Sequence, residues 1–179
     1  MPRIFAQPSS VKLPQRKGES KHEQYGTAHK GIVLCSSCYN IFAGKKWHAP
    51  ESALVQHAMV RGKNINFHLC PACTMARDHT FEGELIIKNI PQKYDAEIVH
   101  LVAASGARAT AMDPQDRILS IQKRANGYRV RTSENQLAVK IAKKIKSSFK
   151  KKIVMHISYA DEPSEVSRIL VTFQSKKKE

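Results

Sequence analysis

Hydrophobic and polar residues follow two different periods in the second half of this chain. Five short segments are rich in β-branched residues or alternate between apolar and polar positions, which is typical of strands. Two longer segments carry apolar residues at intervals of three and four, which is typical of amphipathic helices. In chain order, this pattern predicts a strand at Glu84–Ile90, a helix at Tyr94–Ala104 that ends near Gly106, strands at Asp116–Lys123 and Tyr128–Thr132, a helix to about Phe149 with Ser133 as its N-cap, and strands at Ile153–Tyr159 and Arg168–Phe173.

The order of these elements predicts the fold of this part of the chain. Strand and helix follow one another as β-α-β-β-α-β-β, and the first six elements match the ferredoxin-like arrangement, whose two helices cover one face of the sheet. The sequence Ala125-Asn126-Gly127 indicates a tight hairpin between the second and third strands. We therefore expect an α+β protein with a ferredoxin-like domain at residues 83–175.

The four cysteines form two C-x-x-C pairs that are separated by 31 residues. Two such pairs present four thiolates to one ion, which is the arrangement that a structural, tetrahedral zinc site requires. Disulfides do not fit a chain without a secretory leader pattern, so we expect a reducing, cytoplasmic location. His68 is a less favoured ligand, because four sulfurs already complete the coordination shell. The sequence therefore predicts one structural Zn²⁺, held by Cys35, Cys38, Cys70 and Cys73.

Short segments around the cysteines predict a small zinc-ribbon unit at residues 31–82. Val33-Leu34, Tyr39–Phe42 and Phe67–Leu69 are typical of short strands, residues 53–58 have helical spacing, and Met75–His79 predicts a short helix. Pro71 indicates a tight turn. Residues 1–30 are polar and basic with three prolines, so we expect a tail without structure of its own, and residues 176–179 form a second basic tail.

The charge distribution predicts a polyanionic partner. The formal net charge is +15, and residues 121–152 alone contain eleven basic residues and one acidic residue. A positive charge concentrated in this way favours nucleic acid. No run of about 18 apolar residues occurs, so no segment is expected to span a membrane. An anionic membrane surface ranks second to nucleic acid, and a membrane is not the expected partner.

Two groups of residues are the main candidates for contact with nucleic acid. The second predicted helix has an apolar arc and an opposite arc of lysines that repel one another at i,i+4 spacing, a cost that a phosphate partner would offset. The neighbouring hairpin carries four more basic residues and is expected to extend this patch. The candidates are Lys140, Lys143, Lys144, Lys146, Lys150 and Lys151 on the helix, and Lys123, Arg124, Arg129 and Arg131 on the hairpin.

A third group lies between the cysteine pairs. Lys45 and Lys46 precede Trp47, the only tryptophan in the chain. Trp47 could stack on a base between two phosphate contacts, or it could pack against the metal unit, and the second interpretation is favoured. The two lysines are predicted to contact the nucleic-acid backbone.

The sequence does not indicate an enzyme or a small-molecule substrate. It contains no G-x-x-x-x-G-K-[ST], G-x-S-x-G or H-E-x-x-H motif, and four cysteines leave a zinc ion without an open catalytic position. Two other functions remain open. The chain could be a zinc-ribbon transcription regulator that binds DNA, although lysines grip phosphate and do not read bases. It could also be an adaptor between proteins.

Resemblances to three groups of proteins bear on RNA as the partner. The strand at Leu85–Ile90 looks like the shorter signature of RNA-recognition motifs, with Ile86 in place of its aromatic residue, and Tyr128 matches the second signature, where Val130 replaces an aromatic residue. The segment Cys35–His48, followed by C-P-A-C, is similar to a family of small bacterial zinc-ribbon proteins. It also resembles the zinc region of the archaeal and eukaryotic large-subunit export adaptor. The resemblance to the export adaptor implies contact with ribosomal RNA or a ribosomal subunit, during assembly or on inactive ribosomes.

Overall fold

The structure, a computed structural model, describes residues 32–51, 65–159 and 166–174. In these ranges the chain forms two mixed β-sheets and three α-helices, which confirms the α+β class. The predicted tails at 1–30 and 176–179, and the predicted helical spacing at 53–58, lie outside the described residues.

The cysteine pairs lie at the ends of two strands of a four-stranded sheet. The first pair lies at the end of β1 and in the turn after it, and the second pair follows β4. Strand β1 lies between β2 and β4, antiparallel to β2 and parallel to β4, and β3 pairs with β2 at the edge. Gly44 and Lys45 both have positive φ angles in the hairpin turn between β2 and β3. The elements are β1 (Ile32–Cys35), β2 (Ile41–Ala43), β3 (Lys46–His48), β4 (Ile65–His68) and helix α1 (Pro71–Asp78).

Helix α1 begins earlier than the sequence pattern predicts. Pro71 was expected in a tight turn, but it is the first residue of the helix. Proline suits this position because the first helical N–H has no partner within the helix, and because its fixed φ matches helical geometry.

The second sheet follows the predicted order of elements closely. The β-α-β-β-α-β-β sequence is confirmed, and each predicted strand lies within three residues of its observed bounds. The elements are β5 (Gly83–Lys88), α2 (Asp95–Met112), β6 (Ile118–Arg124), β7 (Gly127–Thr132), α3 (Asn135–Phe149), β8 (Ile153–Tyr159) and β9 (Ser167–Phe173).

The spatial order of the strands differs from the ferredoxin-like prediction at one place. The order is β6-β7-β5-β9-β8, so β9 lies between β5 and β8, where β8 was expected beside β5. Strand β9 is parallel to β5 and antiparallel to β8. Its Leu170, on the side away from the helices, is 6% exposed, whereas Val154 on the same side of β8 is 37% exposed. Strand β9 is therefore the more deeply buried of the two on this side, as its position between β5 and β8 requires, and β8 forms the edge.

Helix α2 continues past Gly106, where the sequence pattern predicted its end. A Cβ atom at Gly106 would lie 2.5 Å from Cδ1 and 2.9 Å from Cγ1 of Ile118 on β6. The glycine is buried in the helix and allows close packing against the sheet, so it has a packing role here and does not end the helix.

Helices α2 and α3 share one hydrophobic core with the side of the sheet that they cover. Ile98 and Val102 of α2 pack with Leu85, Ile87 and Val130 of the strands. All six predicted apolar positions of α3 are buried, together with Val139, which was not predicted: Leu137, Ala138, Ile141, Ala142, Ile145 and Phe149. The strand residues that alternate with these core positions face the opposite side of the sheet.

Candidate metal centre and nucleic-acid interface

The fold brings the two C-x-x-C pairs together. Cys35 ends β1 and Cys38 lies in the turn that follows, while Cys70 immediately precedes α1 and Cys73 lies in its first turn. The parallel pairing of β1 and β4 places Cys35 opposite His68, two residues before Cys70. Because β1 and β4 are parallel neighbours, their ends bring the two cysteine pairs close together.

The spacing of the sulfurs fits a tetrahedral metal site. All four Sγ atoms lie within 4.8 Å of one another, and those of Cys38 and Cys70 are 3.7 Å apart. A zinc–sulfur bond of about 2.3 Å in a tetrahedron implies sulfur–sulfur distances of roughly 3.8 Å. The cysteines are therefore arranged for a metal ion, as the sequence pattern predicted.

Backbone groups around the sulfurs favour the thiolate form at one position. The Cys70 N–H donates to Cys35 Sγ over 3.3 Å. Burial raises the pKa of the Cys35 thiol, but backbone hydrogen bonds from Cys38, Cys70 and Ser37 outweigh it and lower this pKa from 9.0 to about 6. Burial raises the pKa of Cys70 and of Cys73. A bound cation would deprotonate these thiols through its own charge.

An arginine from the loop before β6 contacts the cysteine cluster. Arg117 Nη2 donates to Cys38 Sγ over 3.3 Å, and Nη1 lies 3.7 Å from Cys73 Sγ. Burial lowers the pKa of Arg117, but the sulfur of Cys38 and the charges of the neighbouring thiolates raise it more strongly. Four thiolates around one divalent ion would carry a net charge of −2, which the guanidinium would partly neutralise.

The loop before β6 also binds the helix that carries the second cysteine pair. Gln115 Oε1 accepts the backbone N–H of Ala72, which is one of the unpaired donors in the first turn of α1. Ser133 Oγ donates to Gln115 O over 2.6 Å and accepts the Arg117 N–H over 2.8 Å. Ser133 thus holds this loop and does not cap α3, which was its predicted role.

Sequence reasoning did not identify Arg117 or Gln115 as part of the metal centre. Neither residue lies within 30 positions of a cysteine, and neither belongs to a motif with ligand spacing. Only the tertiary contact reveals their role. One feature of the sequence could have suggested the role of Arg117. It is the only lysine or arginine between Arg108 and Lys123, and it lies next to a strand.

Trp47 packs against the cysteine cluster, which supports the favoured sequence interpretation. Its ring belongs to the group formed by Cys35, Cys70 and Ala72, and it lies 5.4 Å from the ring of Phe42. Lys45 and Lys46 are exposed in and beside the hairpin turn. The two lysines are therefore accessible to a ligand, whereas the tryptophan contributes to the packing of the metal unit.

Helix α3 exposes the lysines that its pattern predicted. Its apolar arc faces the sheet, and Lys140, Lys143, Lys144, Lys146 and Lys150 are exposed. Within the described ranges, none of these lysines forms an ion pair. The side chain of Lys151 lies outside those that the structure describes. We call the group of Lys140, Lys143, Lys144 and Lys146 the lysine face.

The basic residues of the hairpin do not extend the lysine face, which corrects the sequence prediction. Strand alternation places Lys123 on the helix-covered side, where its ammonium group lies 3.5 Å from Asp95 Oδ2 of α2. Arg124, Arg129 and Arg131 lie on the opposite side of the sheet. The period of two along a strand separates residues that adjoin in sequence.

Tyr128 cannot serve as a stacking residue, which corrects the match to an RNA-recognition motif. The side chain is 8% exposed and points towards the helices. Its hydroxyl lies 2.8 Å from Asp95 Oδ2, and this hydrogen bond is the largest cause that raises the pKa of Tyr128. Ile86 lies on the opposite side of the sheet, as its register with Arg129 shows.

No protein-family model matches this chain, and no curated protein is significantly similar to it. Among the helices that the structure describes, none has the length and the hydrophobicity that are needed to cross a bilayer. The assignment of function therefore depends on the geometry and the charge of the sites described above.

Proposed function

We propose that this protein binds RNA through the phosphates of the RNA backbone and that its cysteine cluster holds one structural zinc ion. The observation that carries the proposal is the lysine face of α3. Its four cations are exposed on one helix and form no ion pair within 4 Å in the described ranges, although the charge of Lys140 acts on Asp116. Mutual repulsion of lysines at i,i+4 destabilises a free helix, and phosphates would remove this cost.

Zinc is the metal that the donor set favours. Four thiolates in tetrahedral geometry select zinc among ions without redox chemistry, and the closed shell supports a structural role in a zinc-ribbon unit. The four cysteines are unpaired, which suits the reducing conditions of the cytoplasm. With four protein ligands, the ion has no open position for a substrate, so we infer a binding protein and not an enzyme.

Ribosomal RNA is the RNA that we infer as the target. The resemblance of Cys35–His48 to ribosome-associated zinc proteins supports this choice, as does a net charge of +15, which suits a large folded RNA. The role would be in subunit assembly or on inactive ribosomes. The lysine face grips phosphates and offers no base-reading side chain, which favours RNA of defined shape over a sequence-specific DNA site.

Sedimentation of a cell lysate through a sucrose gradient tests this proposal. We expect the protein to travel with a ribosomal subunit at low salt and to leave it as the salt concentration rises. Replacing Lys140, Lys143 and Lys144 with Gln should move the protein to the top of the gradient at a lower salt concentration. A wild-type protein that stays at the top at all salt concentrations would contradict a ribosomal target.

A further inference from the structure

Three arginines surround one buried carboxylate on the side of the large sheet that faces away from the helices. Glu84, on the central strand β5, has a side chain that is 9% exposed. Its Oε1 lies 3.4 Å from Arg129 Nε and 3.5 Å from Arg131 Nε, and its Oε2 lies 3.9 Å from Arg168 Nε. We call Glu84, Arg129, Arg131 and Arg168 the arginine cluster.

The register of the sheet creates this cluster from three strands. Glu84 pairs with Arg131 of β7 on one side and with Arg168 of β9 on the other. Arg129 lies two residues from Arg131 on the same face of β7, so it is a diagonal neighbour of Glu84. The Arg131 guanidinium also lies over the ring of Phe81, with its Cζ 4.4 Å from the centroid. The positions of the guanidinium groups are thus set by strand pairing and packing.

The carboxylate of Glu84 cannot accept hydrogen bonds from all the N–H donors of the three arginines. Three guanidinium groups and one carboxylate carry a net charge of +2. Each guanidinium has five N–H donors, whereas a carboxylate accepts about four hydrogen bonds. The Nε atoms of Arg129 and Arg131 are buried, and within the described part of the chain they have no hydrogen-bond partner, although both lie within ion-pair distance of Glu84. Glu84 therefore orients the cluster through the Nε atoms, and the terminal Nη atoms of these partly exposed arginines are the donors left for another anion.

We propose that the arginine cluster binds a terminal phosphate of an RNA strand, an inference that rests on the proposed RNA-binding function. A phosphate monoester carries a charge of about −1.5 to −2 at neutral pH, which balances the cluster's net charge of +2. A phosphodiester within the strand carries only one negative charge. Planar guanidinium groups bind phosphate oxygens in pairs, so the geometry also favours a phosphate with three free oxygens.

The neighbouring row of the same sheet face offers a surface for the terminal nucleotide. Arg129 pairs with Ile86, which pairs with Leu170, which in turn pairs with His156. Leu170 is buried in this row, whereas His156 is exposed, and imidazole rings stack on unstacked bases in single-stranded RNA. The RNA end would therefore contact the side of the large sheet that faces away from helices α2 and α3.

Binding of one short single-stranded RNA, prepared with a 5′-phosphate, a 3′-phosphate or two hydroxyl ends, tests the proposal. We expect the full-length protein to bind at least one phosphorylated form roughly tenfold more tightly than the hydroxyl form, because the phosphorylated end adds charge-assisted hydrogen bonds that the hydroxyl end lacks. The end that gives the preference identifies the source of the phosphate. Millimolar inorganic phosphate should reduce this preference by competing for the cluster.

The variant that combines Arg131→Lys with Arg168→Lys separates geometry from charge. It keeps the net charge beside Glu84 but loses the planar donors, so we expect the tenfold preference to fall below about twofold with little change for the hydroxyl form. The Lys140, Lys143 and Lys144 to Gln variant should weaken all three forms alike and preserve the preference.

Different outcomes would separate failure of this inference from failure of the proposed function. Equal binding of the three RNA forms by the wild-type protein, with the lysine variant still weakened, would overturn the phosphate site and leave RNA binding intact. A preference that survives in the Arg131→Lys, Arg168→Lys variant would also overturn it. Absence of binding to every form, and to ribosomal particles, would overturn both.

Discussion

The guanidinium of Arg117 donates to the sulfur of Cys38 over 3.3 Å, although 79 positions separate the two residues in the sequence. This contact joins the cysteine cluster to the loop before β6, and Ser133 connects that loop to the residues immediately before α3. The cysteine cluster is therefore connected, through Arg117 and Ser133, to the segment that leads into helix α3.

The first prediction concerns the metal. Protein purified without chelator should contain about one zinc per chain, because four thiolates lie within 4.8 Å of one another. Cys70→Ser should release the metal and unfold the unit around it, while the helices of the second sheet keep their circular dichroism signal. Elemental analysis measures the zinc content. Ser36→Ala, which alters the turn between Cys35 and Cys38 but removes no sulfur, serves as the control, and a folded, metal-free wild type would contradict the assignment.

The second prediction concerns Arg117. Arg117→Ala should lower the affinity for zinc by roughly 10- to 100-fold, the usual effect of removing a hydrogen-bond donor to a metal ligand. Competition with a chromogenic chelator measures this affinity. Arg77→Ala is a matched control, since Arg77 lies on α1 but is exposed and pairs with Asp78. Equal affinities in the two variants would show that the contact with Cys38 does not support the metal.

The third prediction concerns the salt dependence of RNA binding. Replacing Lys140, Lys143 and Lys144 with Gln should reduce the slope of log affinity against log salt by roughly two to three, at about 0.7–0.9 for each lost phosphate contact. Filter binding at several salt concentrations measures the slope. Replacing Lys93 and Lys152, whose ammonium groups lie over the ring of Tyr94, is the control and should change it less. An unchanged slope in the triple variant would make the lysine face an ordinary solvated surface.

The fourth prediction concerns the close approach of α3 to β5. A Cβ atom at Gly83 would lie 2.7 Å from Cβ of Ala138 and 3.0 Å from the carbonyl oxygen of Glu134. Gly83→Ala should therefore lower the free energy of unfolding by about 1–3 kcal/mol, the usual cost of overpacking. Urea denaturation measures this loss. Gly44→Ala meets no atom within 4 Å and adds only the strain of a positive φ, about 1–2 kcal/mol, so its cost should be smaller.

The fifth prediction concerns the pH dependence of stability. Burial raises the pKa of Asp116, and the charge of Asp113 adds to this, while Lys140 opposes it. Because the folded-state pKa is higher than the unfolded one, the charged form destabilises the fold at neutral pH. This cost disappears as the pH falls through the raised pKa towards the usual value of 3.8.

Asp116→Asn should consequently raise the free energy of unfolding at pH 7, by at most about 1 kcal/mol. The gain should shrink to nothing near pH 4. Urea denaturation at both pH values checks the sign. A variant that is less stable than the wild type at pH 7, or a gain that grows at acidic pH, would show that the carboxylate is stabilised in the fold.

The local sequence pattern was sufficient to predict the helices and strands of the second sheet and the four cysteines that lie together. The apolar arc of α3, the alternation in β7 and the β-branched run in β9 each record which side of an element is buried, and this information is contained within a few residues. The pairs Cys35–Cys38 and Cys70–Cys73 carry their chemistry in their spacing, so a four-sulfur site was predictable before its geometry was known.

Features that depend on packing between distant elements could not be predicted in this way. Gly106 looked like a helix end because the pattern does not show that Ile118 leaves no space for a side chain there. Ser133 looked like a helix cap because its bonds to the loop at Gln115 arise only in the folded chain.

Residue type and period were enough to predict the order of the elements from β5 onward, the buried side of α3 and the four clustered thiols. The position of β9 beside β5, the contact of Arg117 with Cys38 and the three arginines around Glu84 appear only in the folded chain. Each of these depends on strand order and register, which are set by how well separate apolar surfaces fit together and not by any single segment. The same register placed Lys123 and Arg124, adjacent in sequence, on opposite sides of the sheet.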